Sequence, residues 1–183
     1  MNNSGNISLR CRIVVDAMGG DFAPTNAVLG AIEAFNENKS FDLYLVGQES
    51  QIQQVLDSKN ISLSKEFIIN ADEIIEMGDS PASSLKAKPN SSIVIGAQYL
   101  RDKKADAFVS AGNTGAMMAA STLIIGRIPG LGRPTIGAEM PNVNGICYLY
   151  DVGASKDSKP IHLFEYAIMG TIFAKEMGGI SNP

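Results

Sequence analysis

Short apolar runs rich in valine, isoleucine and leucine alternate along the chain with longer segments in which apolar residues recur every three or four positions. The short runs predict β-strands and the longer segments predict amphipathic helices. The predicted strands cover 12–16, 41–47, 66–71, 105–112, 135–141 and 145–153. The predicted helices cover 24–36, 49–60, 91–104, 113–127 and 159–179, and 72–89 is a loop-rich excursion with one helical turn. The alternation predicts an α/β fold, with a mostly parallel sheet and helices on both faces.

Length and composition are those of one ordinary globular domain. The chain has 183 residues, of which 45% are hydrophobic and 19% are charged, and these values are typical of a folded soluble domain. We expect a flexible tail over residues 1–12, which are rich in Asn and Ser, followed by one α/β domain over 13–183. The tail lacks the apolar run of a secretory signal, and no segment reaches the roughly 20 apolar residues of a membrane span.

Charge and cysteine content exclude several kinds of partner. A net charge of −4 gives no general attraction to nucleic acid, so we expect no nucleic-acid partner. Any basic surface would be local, and Lys86 and Lys88 are candidates for contact with an acidic partner or are simply solvated. Cys11 and Cys147 are the two cysteines, too few for a disulfide framework or a metal cluster. We therefore expect reduced thiols in a cytoplasmic protein and no metal site.

Three loops that follow predicted strands combine glycines with polar side chains. They are "DAMGGD" at 16–21, "SAGNTGA" at 110–116 and "DVGASKDSKP" at 151–160. Ligands of open α/β sheets bind beyond the carboxyl ends of the strands. We therefore expect the three loops to lie on one rim of the sheet and to form a common site.

The loop "SAGNTGA" indicates an anion site. Gly112 and Gly115 permit close approach of the backbone, and the following helix begins with unpaired N–H groups and a positive dipole. Asn113 and Thr114 add side-chain donors. Because no dinucleotide or P-loop fingerprint is present, the loop predicts a small anion such as inorganic phosphate. In the alternative interpretation, Asn113 only caps the helix.

The loop "DAMGGD" places two glycines, Gly19 and Gly20, between two carboxylates, Asp16 and Asp21. The glycines favour an anion, whereas the carboxylates would repel one. We therefore expect the carboxylates to orient neighbouring donors, or to take a proton from hydrogen phosphate. The alternative is a tight turn in which Asp21 merely stabilises the start of the next helix.

The third loop carries Asp151, Gly153 and Lys159, and the only histidine, His162, follows it. Lys159 would favour a phosphate electrostatically, or it is a solvated loop lysine. His162 is a candidate catalytic group, although a lone histidine is more often a structural hydrogen-bonding residue.

Five longer segments resemble those of a known family. In order along the chain they are "RIVVDAMGGDFAP", "MGDSPASSLKAKPNSS", "ADAFVSAGNTGA", "GRIPGLGRP" and "YDVGASKDSKPIHLFEYAIMG". From about Ile13 to Pro183 the chain resembles the phosphate acyltransferases, also called fatty acid/phospholipid synthesis proteins. The resemblance implies a fold similar to that of isocitrate and isopropylmalate dehydrogenases, with no cofactor and no metal.

The resemblance also implies an activity and partners. Members of the family convert acyl-ACP and inorganic phosphate to acyl phosphate and acyl carrier protein, a step that feeds bacterial phospholipid synthesis. They form homodimers and touch the membrane surface through their C-terminal part. For that reaction we expect the glycine loops to hold phosphate, Asp16 and Asp21 to orient them, and Asn113 to stabilise the oxyanion.

Two features depart from the family pattern. Ser155 stands where the family has asparagine, and Ser158 stands where it commonly has cysteine. The first difference removes the paired donor and acceptor of an amide. Family members are also about twice as long, so we expect this chain to be a truncated, N-terminal half. An uncovered apolar face, with Phe164, Ile168 and Phe173, is then expected on the last helix. The alternatives are a half-enzyme or non-catalytic fragment, and a dehydrogenase of related fold.

Overall fold

A computed structural model describes residues 10–143, 145–155 and 157–183. The chain divides into two compact units, Met1–Ile125 and Gly126–Pro183. The single α/β domain expected over 13–183 stays a prediction. Most of the predicted tail lies outside the described residues. Its last two residues, Cys11 and Arg12, belong to the first strand instead, because they continue the backbone pairing of the apolar run that follows.

The first unit contains the parallel sheet and most of the helices. Its strands are β1 (Cys11–Asp16), β2 (Phe41–Gly47), β3 (Ile68–Asn70) and β4 (Ala107–Val109). Its helices are α1 (Thr25–Glu37), α2 (Glu49–Ser58), α3 (Pro81–Ala87), α4 (Ser92–Arg101) and α5 (Thr114–Ala120). A short 3₁₀ turn, Lys65–Phe67, precedes β3, and a π-helical turn, Ser121–Ile125, continues α5.

The sheet has the strand order β3-β2-β1-β4, and each neighbouring pair is parallel. This confirms the predicted parallel sheet. Val15 of β1 is paired with Val109 of β4, so the next residues, Asp16 at the end of β1 and Ser110 just beyond β4, are neighbours. The two loops that follow are "DAMGGD" and "SAGNTGA", and the topology brings them to the same edge.

Helices cover both faces of this sheet, as predicted. Leu43 and Leu45 of β2 lie in a buried cluster with residues of α1 and α2. Val46, the next residue along, lies in a second cluster with Val14 and residues of α4. Successive side chains of a strand point to opposite faces, so the alternation along β2 places the helices in two layers. Burial of each such side chain contributes about 1.5–3 kcal/mol.

The second unit is an antiparallel hairpin with one long helix. Strands β5 (Gly137–Asn142) and β6 (Gly145–Tyr150) pair with each other over their whole length, and α6 spans Pro160–Glu176. Only two residues separate the strands, and so short a connection joins antiparallel neighbours. The rings of Tyr148 and Tyr150 pack against Phe173 of α6, at centroid distances of 5.4 and 6.2 Å.

The helix α6 has an apolar surface that its own unit leaves uncovered. Tyr166 and Ala174 are buried, whereas Phe164 is 62% exposed and Ile168 is 40% exposed. The expectation of an uncovered face is therefore right for Phe164 and Ile168. It is wrong for Phe173, because the hairpin tyrosines pack on that ring. None of the helices in the described ranges is long and apolar enough to cross a membrane.

Candidate functional site

The carboxyl ends of β1 and β4 are joined by a hydrogen-bonded chain centred on Asp16. This side chain is only 2% exposed. Its Oδ1 accepts the backbone N–H of Met18 at 3.0 Å, and its Oδ2 accepts the Ser110 hydroxyl at 2.7 Å. The Ser110 Oγ in turn accepts the Gly112 N–H at 3.0 Å. One buried carboxylate thus connects both glycine loops through hydrogen bonds, and the orienting role of Asp16 in a phosphate site stays a prediction.

The two loops meet at glycines. A Cβ added to Gly19 would lie 2.7 Å from the Gly112 nitrogen and 2.8 Å from Asp16 Oδ2. These distances leave no room for a side chain, so the contact requires glycine at position 19. Gly20 has a φ of +105°, in the region that favours glycine.

Both loops carry backbone N–H groups that the described part of the protein leaves without an acceptor. Among the described residues, the N–H groups of Gly19, Gly20, Thr114 and Gly115 have no protein acceptor. Gly20 is half-buried and Thr114 is exposed. Consecutive unpaired N–H groups in a glycine loop form an anion-binding concavity. This part of the first unit can therefore hold a small anion through its backbone.

Asn113 is engaged in two sets of hydrogen bonds and is 5% exposed. Its Oδ1 accepts the Ala116 N–H at 2.9 Å and so caps α5. Its Nδ2 donates to three backbone carbonyls, those of Glu76, Met77 and Asp79, at 3.0, 3.2 and 3.1 Å. Because both amide hydrogens are directed at carbonyls, the geometry favours the capping interpretation. The oxyanion role of Asn113 stays a prediction.

Two residues that flank α3, Asp79 before it and Lys88 at its C-cap, had no assigned role in the site. Lys88 Nζ donates to the Ile74 carbonyl at 2.7 Å and to Asp79 Oδ2 at 2.5 Å. The bond from Lys88, and then the Glu76 N–H, lower the pKa of Asp79. Lys88 is thus not a freely solvated lysine. Nothing in its sequence context separates it from Lys86, which is exposed.

The third predicted loop lies in the second unit. Asp151 Oδ1 accepts the Ala154 N–H at 2.8 Å. Burial raises the pKa of the Asp151 carboxyl, but hydrogen bonds from Ser155 and Ala154 outweigh it, so the pKa lies below its ordinary value. Ser155 also contacts the Tyr166 hydroxyl at 3.2 Å. Gly153 has a φ of +89° and is exposed.

Lys159 and His162 form the start of α6. Lys159 is the N-cap residue and is exposed. Its backbone N–H donates to His162 Nδ1 at 3.3 Å, so the neutral ring would carry its proton on Nε2. His162 therefore has the structural, hydrogen-bonding role that was the alternative to catalysis, and its catalytic role stays a prediction.

A family model described as "Fatty acid synthesis protein" matches residues 11–183. This chain belongs to that family. Its relatives include proteins named phosphate acyltransferase from Bacillus thuringiensis (strain Al Hakam) and Bacillus cereus (strain AH187), each 44% identical over 173 residues. Each alignment covers 94% of this chain and 51% of the relative. The chain thus spans about half the length of the curated relatives that it matches.

Solved structures confirm the fold class of this chain. A phosphotransacetylase from Streptococcus pyogenes is similar with a TM-score of 0.69 and 19% identity, covering 91% of this chain and 54% of that one. The EutD phosphotransacetylase from Staphylococcus aureus has a TM-score of 0.66 and 20% identity, covering 92% and 54%. At this identity the likeness concerns the fold alone. The expected likeness to isocitrate and isopropylmalate dehydrogenases stays a prediction.

The first unit contains most of the predicted site residues. Asp16, Gly19 and Gly112 form one connected cluster, and Asn113 follows Gly112 directly in the chain. Asp21 is exposed beside it. Ser110, which links the two loops, had no assigned role, although its position directly after β4 was a usable signal. The described residues contain no group of three His, Cys, Asp or Glu side chains that could hold a metal ion.

Proposed function

We propose that this chain carries the phosphate-binding part of a phosphate acyltransferase, which forms acyl phosphate from acyl-ACP and inorganic phosphate. The observation that carries the proposal is the contact of Gly19 with Gly112, which Asp16 braces, between two loops that both contain unpaired backbone N–H groups. Family membership and the names of the relatives support the reaction class. Acyl phosphate made in this way would feed phospholipid synthesis.

The proposed reaction needs a firmly held phosphate with one free oxygen. That oxygen attacks the thioester carbonyl and a C–O bond forms. The C–S bond then breaks, and the leaving thiolate of the carrier protein takes the proton of hydrogen phosphate and is released as the thiol. Backbone N–H groups suit this task because they bind the other phosphate oxygens without forming a covalent bond. Asp16 does not contact the phosphate, because its two oxygens already accept hydrogen bonds from Met18 and Ser110.

In the proposed reaction, the polar side chains of the first unit position the phosphate-binding backbone and do not transfer protons. Asn113 holds the start of α5 through its cap and its three carbonyl contacts. Asp16 keeps the Ser110 hydroxyl aligned to accept from Gly112. The chemistry then depends on orientation and on fixed dipoles, which is sufficient for attack by an oxygen that is already anionic.

A phosphate titration of the ¹⁵N-labelled chain tests the binding step. Inorganic phosphate should shift the amide resonances of Gly19, Gly20, Thr114 and Gly115 in a saturable way. The exposed loop glycine Gly130 serves as an internal control, because a Cβ there would meet nothing within 4 Å. Shifts that stay absent, or that are equal at Gly130, would contradict the phosphate site.

The transfer step is tested by trapping acyl phosphate with hydroxylamine in the presence of acyl-ACP and phosphate. Because the chain spans about half of its relatives, the assay compares the chain alone with the chain mixed with a polypeptide covering the remaining half of a relative. We expect acyl hydroxamate in the mixture and little or none with the chain alone. If phosphate binds saturably but the mixture forms no acyl hydroxamate, the chain is better described as an anion-binding fragment.

A further inference from the structure

We propose that Lys88 and Asp79 are positioning residues for the start of α5. The inference rests on the proposed function, in which the first residues of α5 belong to the phosphate site. Neither side chain is among the groups that would touch phosphate. Their effect passes through a turn of backbone, residues 74–79, and then through Asn113.

The first step is closure of the turn. Lys88 Nζ donates to the Ile74 carbonyl at one end of the turn and to Asp79 Oδ2 at the other, at 2.7 and 2.5 Å. The same Asp79 oxygen accepts the Glu76 N–H at 2.8 Å. Lys88 and Asp79 are each 30% exposed, so the pair is partly shielded from water. A charge-assisted hydrogen bond in such a place holds the turn more firmly than a neutral one would.

The second step is the presentation of carbonyls to Asn113. The closed turn directs the carbonyls of Glu76, Met77 and Asp79 at the Asn113 amide nitrogen, within 3.2 Å. An amide group is rigid and planar, so the placement of its nitrogen also places its oxygen. That oxygen accepts the Ala116 N–H and caps α5. Movement of the turn would therefore disturb the cap directly.

The third step is a steric contact on the other side of the same helix start. Gly115 packs against Pro81, the first residue of α3, so closely that a Cβ on Gly115 would lie 2.5 Å from Pro81 Cγ. Lys88 is the C-cap residue of that same helix. The start of α5 is thus held between the turn and α3, and Lys88 ties these two elements together.

The test compares Lys88→Met with Lys86→Met in the ¹⁵N-labelled chain. Lys86 lies on the same helix and is exposed, so its substitution is the matched control. We expect Lys88→Met to weaken inorganic phosphate binding about fivefold, because it removes a partly shielded ion pair. It should also speed hydrogen exchange at the Ala116 amide and shift the Asn113 side-chain resonances. Lys88→Arg should restore part of both effects, and Lys86→Met should change neither.

Three results decide the proposal. Unchanged phosphate affinity and Ala116 exchange in Lys88→Met would overturn it while leaving the phosphate site intact. If phosphate fails to shift the glycine amides of the unmodified chain, the proposed function fails, and Ala116 exchange alone then decides whether Lys88 positions α5. If Lys88→Met does not fold, Asp79→Asn replaces it, since that variant keeps an acceptor for the Glu76 N–H but loses the charge. Normal exchange and affinity in folded Asp79→Asn would overturn the proposal.

Discussion

Gly19 is the residue on which the approach of the two loops depends. In Gly19→Ala the new methyl group would meet the Gly112 nitrogen and Asp16 Oδ2 at less than 3 Å, and neither neighbour is the free end of a flexible side chain. We expect a loss of about 1–3 kcal/mol in the free energy of unfolding, the usual cost of overpacking. Urea denaturation measures this loss, and phosphate titration should show weaker binding.

The matched control for that substitution is Gly30→Ala. Gly30 lies in α1, and a Cβ there would have nothing within 4 Å. Because alanine favours helix, the variant should be more stable by about 0.5–1 kcal/mol. Equal stability changes in the two variants would mean that the loops are not in tight contact.

Asp16 is expected to act through hydrogen bonds rather than as a base. In Asp16→Asn one oxygen can still accept the Met18 N–H, but the amide nitrogen would face the Ser110 hydroxyl. That hydroxyl already accepts from Gly112, so its own hydrogen would lose its acceptor. We expect a loss of about 1–3 kcal/mol in stability, measured by denaturation, together with weaker phosphate binding. Full stability with normal binding would remove Asp16 from the orienting role.

The same residues show which features of the site can be predicted from the sequence. Asp16 and Gly19 were predicted because a carboxylate and paired glycines after a buried strand are an uncommon combination. The engagement of Asn113 was not predicted beyond its cap, because its three carbonyl partners come from a segment about 35 residues earlier in the chain. The hydrogen bonds of Lys88 were not predicted either, because its partners depend on how residues 74–79 fold.

At the level of the strands, a hydrogen-bonded pair of side chains, Arg12 and Asp106, joins the beginnings of β1 and β4. The Arg12 backbone N–H and its Nε both donate to Asp106 Oδ2, at 2.8 and 3.0 Å, and a second guanidinium nitrogen donates to Oδ1 at 2.9 Å. These bonds lower the pKa of Asp106 to about 2. The pair anchors β4 to the rest of the sheet at the end opposite the glycine loops.

The lowered pKa of Asp106 predicts a definite pH dependence. An unfolded aspartate titrates near pH ~3.9, so the stabilisation by Asp106 is complete above that pH. It is lost as the pH falls from about 4 to about 2, because protonation breaks the pair. Asp106→Asn should lower stability at pH 7 and flatten this part of the profile. The exposed Asp57→Asn is the control, and an unchanged profile in Asp106→Asn would contradict the assignment.

Strand and helix positions were predicted well wherever the apolar pattern was strong. Strand β2 occupies 41–47 as predicted, because both of its faces are buried and turn residues flank it. The strand predicted at 105–112 was shortened to Ala107–Val109, since Ser110 and Gly112 leave the sheet to join the loop contacts. The hairpin of β5 and β6 could not be assigned to a sheet from its pattern, because alternation predicts strands but not their partners.

The two units of the molecule differ in how much apolar surface they bury. The first unit has continuous buried clusters on both faces of its sheet. In the second unit, a cavity of about 480 Å³ lies between 128–131 and α6, and its lining includes Ile168 and Ile172. Composition cannot reveal the difference, since it averages over both units.

The final prediction concerns association through α6. Phe164, Ile168 and Ile172 are spaced four residues apart and are 62%, 40% and 56% exposed, so they form one apolar stripe. We expect the 183-residue chain to self-associate, with a sedimentation coefficient that rises with concentration. The double substitution Phe164→Ser and Ile172→Ser should shift it towards the monomer.

Phe22→Ser is the control for this experiment, because Phe22 is 71% exposed but lies in the first unit, outside the stripe. It removes an exposed ring like that of Phe164 and should leave association unchanged. If the Phe22 variant dissociates as readily as the double variant, general hydrophobicity rather than the α6 stripe drives association. A monodisperse monomer at all concentrations would show that the stripe does not bind a second copy of the chain. The remaining half of a relative, added in the acyl phosphate assay, would then be the partner to test on this surface.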